Sequence, residues 1–171
     1  EVVHTPTTKA EVDEPISWEQ AIELIGDAKE AANIHAMALK IFGEASDAAA
    51  AKGIILADTK FEFGRLNGEL VLIDEVMTPD SSRYWELSTL EQRIADGEEP
   101  ESLDKEPIRL ALASAGYRGD GEPPKLDDQV VAATTLRYIT AFERLTGASF
   151  SPGSYPVQPR LVRALQKAQV L

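Results

Sequence analysis

The stretch "LADTKFEFG", Leu56 to Gly64, decides how this chain is read. It is rich in β-formers, and it alternates. Asp58, Lys60 and Glu62 fall on one face of an extended strand, while Thr59, Phe61 and Phe63 fall on the other. The aromatic face is expected to meet a core. The charged face is then expected to meet water, a metal or a ligand.

The residues that follow supply a partner. "RLNGE" contains Asn67-Gly68, and "LVLIDEVM" is a second apolar run, so the pattern predicts a β-hairpin. Asp74 and Glu75 point to opposite faces of that second strand, and register decides which joins Glu62. A two-residue turn pairs Lys60 with Glu75 and puts Asp74 on the Phe side. A three- or five-residue loop puts Asp74 on the Glu62 face. Asn-Gly favours the shorter turn; the cost of burying an Asp beside two Phe favours the longer one. Carboxylates facing each other across a hairpin repel unless a cation lies between them. An oxygen-only cluster suits Mg²⁺, which takes one or two carboxylates plus phosphates and waters. The plain alternative is a salt-bridged solvent face, with Lys60 between Asp58 and Glu62.

Around the hairpin the pattern is helical. "SWEQ" is a capping box at Ser17 and Gln20, predicting a helix to about Ile25, with Gly26-Asp27 breaking or re-capping the chain. Ala31, Ile34, Ala38, Ile41 and Phe42 recur at helical spacing within Asp27–Lys52, and Gly53 sits where the helix should stop. "TPDSSRYW", Thr78 to Trp85, reads as a loop. Helices are further expected after Ser88, over Leu103–Ala115, over Asp127–Leu145 with a core-facing apolar stripe and a stop at Gly147, and over Arg160–Gln169. "DGEEPESLD" and "YRGDGEPPK" read as loops. The outline is α+β: an extended lead-in over 1–16, a main domain over 17–150, and a tail with a short helix over 151–171.

Composition narrows the function. The chain has 171 residues, 43% of them apolar, enough for one domain with a real core. Its net charge is −12, which argues against a nucleic-acid footprint. There is no cysteine, so disulfides, thiolate catalysis and Cys-based metal sites are excluded. No apolar run is long enough to span a bilayer, and no signal-peptide pattern opens the sequence. The expectation is a cytoplasmic protein. His4, in the lead-in, and His35, in the long helix, read as non-catalytic.

Read whole, "LADTKFEFG" followed by "GELVLIDEVMTPDSSRYW" resembles the SAICAR synthetase (phosphoribosylaminoimidazole-succinocarboxamide synthase) family. "TPTTKAE" near the start and "YITAFERLTG" near the end are similar to the longer form of that enzyme, so the resemblance runs from about Thr5 to Phe150. It implies an α+β, ATP-grasp-related C-terminal lobe, with a β-hairpin in an antiparallel sheet flanked by helices. It also implies a missing partner, since the family's N-terminal lobe, with the strands that cover ATP, has no counterpart here. The implied activity joins L-aspartate to carboxyaminoimidazole ribonucleotide (CAIR), with ATP becoming ADP and phosphate.

By motif position the resemblance implies Glu62 and Asp74 at Mg²⁺ and the ATP phosphates, and so the odd-loop register. It implies Asp58 and Lys60 as catalytic residues lining the same cleft. Arg83 would grip the nucleotide 5′-phosphate, Asp80 and Ser82 would contact the CAIR ribose or ring, and Lys9 would reach the site from the lead-in. Glu75 is a weaker candidate. The competing expectation is a truncated or diverged interaction module that keeps the fold without the chemistry.

Overall fold

The computed structural model describes residues 2–9 and 13–170. The capping box forms as its sequence predicts. The Ser17 hydroxyl accepts from the Gln20 N–H at 3.2 Å, and the Gln20 side chain accepts from the Ser17 N–H at 2.8 Å. Helix α1 runs Trp18–Ile25 and stops at Gly26, which takes the left-handed conformation. Asp27 then caps α2, Ala28–Ala50, through the N–H groups of Lys29 and Glu30.

The next segment departs from the expectation of one continuous strand. β1, Ile54–Thr59, and β2, Glu62–Leu66, are separate strands with Lys60 and Phe61 between them. β2 pairs with β3, Glu69–Ile73, to form the expected hairpin. β1 pairs instead with β4, Ser82–Glu86, antiparallel. The second half of "TPDSSRYW" is therefore a strand, although its Ser and Asp content reads as loop. The hairpin forms its own two-stranded sheet and joins no larger one among the described residues.

The register within the hairpin corrects a second expectation. Leu66 pairs with Glu69, so Asn67 and Gly68 alone make the turn, both at positive φ (54° and 86°). That is the conformation whose twist matches the flanking strands. Ile73, not Asp74, faces Glu62. The argument for a longer loop rested on burying Asp74. It loses its force because β3 ends at Ile73, and Asp74 is exposed at a left-handed φ of 66°.

A bulge in β1 sets the faces of the other sheet. Leu56 pairs with Tyr84 but Asp58 with Arg83, which leaves Ala57 as the extra residue. Ile54, Leu56 and Thr59 thus share the face of buried Ser82 and Tyr84, and Asp58 lies across from Arg83. The core gathers Ala49 of α2, Ile54, Leu56, Tyr84, Leu103 and Ala141. Phe61 and Phe63 are only half-buried and lie outside that cluster.

The remaining helices close the other side. α3, Leu87–Ala95, is capped by Glu86 rather than Ser88. α4 spans Glu106–Ser114, starting later than expected because residues 101–103 hydrogen-bond to the outer edge of β4. α5, Asp128–Thr146, is capped by Asp127 and stopped by Gly147. Its core face is Thr134 and Ala141, whereas Val131 and Leu136 of the expected apolar stripe are exposed. α6 spans Val157–Lys167 and has no buried residue. Arg144 of α5 locks the layers: its guanidinium donates to the carbonyls of Lys52 and Gly53 at 2.9 and 3.0 Å and pairs with Glu86. Gly53 (φ 72°) has no Cβ to meet that guanidinium, which a side chain there would approach to 3.0 Å.

Candidate functional site

The lead-in folds back on itself before it reaches the strands. The Thr8 N–H donates to Glu14 O, and the Ile16 N–H to Pro6 O, each at 2.9 Å, with Thr7 and Pro15 bridged. These bonds join the two arms of the lead-in and bring Lys9 and Asp13 to the start of β2. Lys9 Nζ lies 2.6 Å from Glu62 Oε1, and Lys60 Nζ lies 2.9 Å from the same oxygen and 2.5 Å from Asp13 Oδ2. Two lysines on one carboxylate favour its ionised form strongly. The hydrogen bond from Lys9, then that from Lys60, holds Glu62 down to about 2. Asp13 is lowered by its bond to Lys60, and the Lys60 ammonium is held charged in return.

Lys9, Asp13, Asp58 and Lys60 line a cleft of about 930 Å³ between the lead-in, the two helices and the strands, with the rings of Phe61 and Phe63 in its wall. Asp58 and Arg83 form a cross-strand ion pair, in which Arg83 Nε donates to Asp58 Oδ2 at 2.8 Å. That bond raises the proton affinity of Arg83. The break after Thr59 lets the charged string turn out of the β1–β4 sheet. Asp58 then serves β4 while Glu62 faces the lead-in.

Four further residues lie apart from that cluster. Asp80 Oδ1 is 3.3 Å from Lys105 Nζ and 3.5 Å from the Tyr138 hydroxyl. Burial, then the charge of Asp80, pushes the Tyr138 phenol up to about 12. Ser82 is buried at 4% exposure, its hydroxyl 2.8 Å from that of Thr59. Asp74 makes no hydrogen bond or ion pair among the described residues, and Glu75 accepts from the Thr78 hydroxyl. The structure thus unites Lys9, Lys60 and Glu62, pairs Asp58 with Arg83, and leaves Asp74 outside both groups.

No cluster of three or more His, Asp or Glu side chains occurs among the described residues. Glu62 and Asp74 match the one or two carboxylates that Mg²⁺ takes from a protein when phosphates and water complete its shell. They fit in type and number, though the hairpin register does not set them face to face.

Two features escaped the sequence. Asp13, Lys105 and Tyr138 contact candidate residues from distant parts of the chain, and no local pattern signals such contacts. His4 and His35 meet with their Nδ1 atoms 2.6 Å apart, beside the Trp18 ring. Burial, then the charge of His35, lowers the His4 pKa.

Comparisons with known proteins agree in one direction. The family model described as SAICAR synthetase matches residues 1–125. A phosphoribosylaminoimidazole-succinocarboxamide synthase of Saccharopolyspora erythraea is 45% identical, over 91% of this chain and 54% of its own length. One of Corynebacterium ammoniagenes is 47% identical over 88% of this chain and 52% of its own. Among solved structures, the Saccharomyces cerevisiae SAICAR synthase complexed with SAICAR superposes with a TM-score of 0.71 at 39% identity, over 86% of this chain and 47% of that one. A SAICAR synthetase in complex with ADP gives 0.58 at 31% identity, over 82% of this chain and 48% of that one. The chain therefore spans about half the length of the curated relatives it matches. With its α+β architecture and its two strand motifs, it belongs to the SAICAR synthetase family.

Proposed function

We propose that this chain supplies the β-hairpin half of an ATP-dependent C–N ligase. The reaction joins L-aspartate to CAIR, giving SAICAR, ADP and phosphate in purine biosynthesis in the cytoplasm. One observation carries the reading. Lys9, Asp58 and Lys60 line one cleft, and Glu62 of β2 and Arg83 of β4 are ion-paired to them. In this reading 17–150 is the ligase domain, 151–171 a tail, and the partner an upstream lobe of the same enzyme.

The chemistry follows from the groups present. A carboxylate is a poor electrophile; phosphorylation makes the CAIR carboxylate an acyl phosphate, and the aspartate amine displaces the phosphate. Such transfers depend on positioning and charge neutralisation. Lys60 neutralises phosphate or carboxylate charge, and Lys9 adds a second cation beside it. Asp58 orients the amine or the ribose. Arg83 offers a fork of donors to the 5′-phosphate, and Asp80 and Ser82 hold the ribose or ring. Glu62 and Asp74 would hold Mg²⁺, which supplies charge neutralisation at the ATP phosphates.

The test extends the chain by an upstream lobe and measures aspartate- and CAIR-dependent ADP release, then repeats it with Glu62→Gln. Loss in the variant is expected. An inactive parent, or an unaffected variant, overturns the assignment. The 171 residues alone are expected to turn nothing over, and ADP formation by them would sink that part. A second reading, a non-catalytic module that keeps the fold, is supported by Asp58 and Glu62 each being neutralised within the chain.

A further inference from the structure

Asp104 is the most deeply buried charged side chain among the described residues, at 1% exposure, and no step above uses it. Its neighbours explain why a carboxylate lies there. Residues 101–103 run along the outer edge of β4: the Glu86 N–H donates to Glu101 O at 2.9 Å and the Leu103 N–H to Tyr84 O at 2.8 Å. The next rung needs an acceptor for the Tyr84 N–H, and Asp104 Oδ2 provides it at 2.9 Å. The other oxygen, Oδ1, accepts from the Glu106 N–H at 2.8 Å, in the first turn of α4. One carboxylate thus ends the strand edge and begins the helix. Burial raises its pKa, and the Glu106 and Tyr84 hydrogen bonds act against that.

Each backbone amide it holds has a cation next door. Arg83 precedes Tyr84, and Lys105 follows Asp104. Lys105 pairs with Asp80 at 3.3 Å, and the charges of Glu106 and Asp104 help raise the proton affinity of Arg83. We propose that Asp104 is a positioning residue: its two backbone hydrogen bonds clamp the strand carrying Arg83 to the helix start carrying Lys105, so that the two cations form one corner for a phosphate monoester. What the corner binds rests on the nucleotide reading proposed above; the clamp rests on geometry. An Asn at this position keeps the shape, but its amide nitrogen cannot accept, so one of the two N–H groups loses its partner.

The experiment compares the 171-residue chain with Asp104→Asn by NMR, then titrates the lobe-extended enzyme, with and without Asp104→Asn, with SAICAR. In the variant the Tyr84 or Glu106 amide, the Arg83 Nε–H and the Asp80 carboxyl carbon are all expected to shift. SAICAR binding should weaken about tenfold, as for the loss of one hydrogen bond to a charged group. Asp127→Ala, which removes the α5 cap, serves as the control for lost stability and should move none of these signals. Unchanged Arg83 and Asp80 signals in Asp104→Asn, or equal shifts in the control, overturn the clamp. If the lobe-extended parent does not bind SAICAR, the nucleotide reading fails, while the Arg83 and Asp80 signals still decide the role of Asp104. Should Asp104→Asn not fold, Ser102→Ala, which removes a side-chain partner of the buried carboxylate, reads the same signals.

Discussion

Arg83 places two donors on a single oxygen of Asp58: both Nε and Nη2 reach Oδ2, across the bulged rung that joins β4 to β1. Oδ1 makes no hydrogen bond among the described residues. The pair is about half exposed, so it adds little to stability, on the order of 1 kcal/mol or less. Its importance lies in presenting a planar guanidinium at a fixed angle. Arg83→Lys keeps the charge and loses the fork. In the lobe-extended enzyme it is expected to lower kcat/KM for CAIR at least about tenfold with little change in Tm. Activity equal to the parent would remove Arg83 from the binding site.

The clasp at Glu62 has a defined pH range. Its folded pKa, about 2, lies below the ordinary 4.5, so the stability it contributes is present above about pH 4.5 and lost as pH falls through about 2. The Glu62 carboxyl carbon is expected to titrate with a midpoint well below 4. The lead-in should stay protease-resistant at pH 5, and Glu62→Gln should expose it to cleavage at neutral pH. A midpoint near 4.5 would mean that the lysines do not hold this carboxylate.

Tyr138 provides the opposite sign. Its folded pKa, about 12, lies above the ordinary 10, so its contribution to stability is complete below pH 10 and lost as pH rises through about 12. Ultraviolet titration is expected to show Tyr138 ionising late, together with Tyr84, whose phenol burial also raises, and Asp80→Asn should bring the Tyr138 midpoint down. No change in Asp80→Asn would separate the two residues and with them the Asp80–Lys105–Tyr138 group.

Arg144→Met tests the lock between layers. Glu86 is held ionised chiefly by that guanidinium, and the carbonyls of Lys52 and Gly53 depend on it. Removing it is expected to cost about 2 kcal/mol. Ile54→Ala, at a fully buried site, is expected to cost about 2–5 kcal/mol. Denaturant midpoints measure both. A smaller loss at Ile54 than at Arg144 would mean that the core around β1 is looser than its burial indicates.

The helices were legible because their signals are local. Ser17 and Asp27 cap as their positions predict, and Gly147 stops α5 at φ 73°. The hairpin was legible from Asn67-Gly68. The change of partner inside "LADTKFEFG" was not, because period-two alternation is blind to which strand lies alongside. β4 was hidden by Asp80, Ser81 and Ser82, whose loop-like composition is overruled by the buried Ser82 and Tyr84. Asp104 was hidden too. In sequence it belongs to an acidic run, and only the edge of β4, twenty residues away, makes it a buried acceptor. The site was legible in its residue types but not in its register, since Asp74 faces no residue of β2.

The extra residue at Ala57 has an evolutionary consequence. It separates the alternation of Ile54 and Leu56 from that of Asp58 and Thr59, so each half of β1 keeps its own face. A slip of one residue elsewhere in the strand would exchange core for cleft. At the bulge the same change is absorbed: a relative lacking this residue would still place its aspartate across from the arginine, on a straighter ladder. Length variation in β1 is therefore cheapest at the boundary between the part that holds the protein together and the part that lines the cleft.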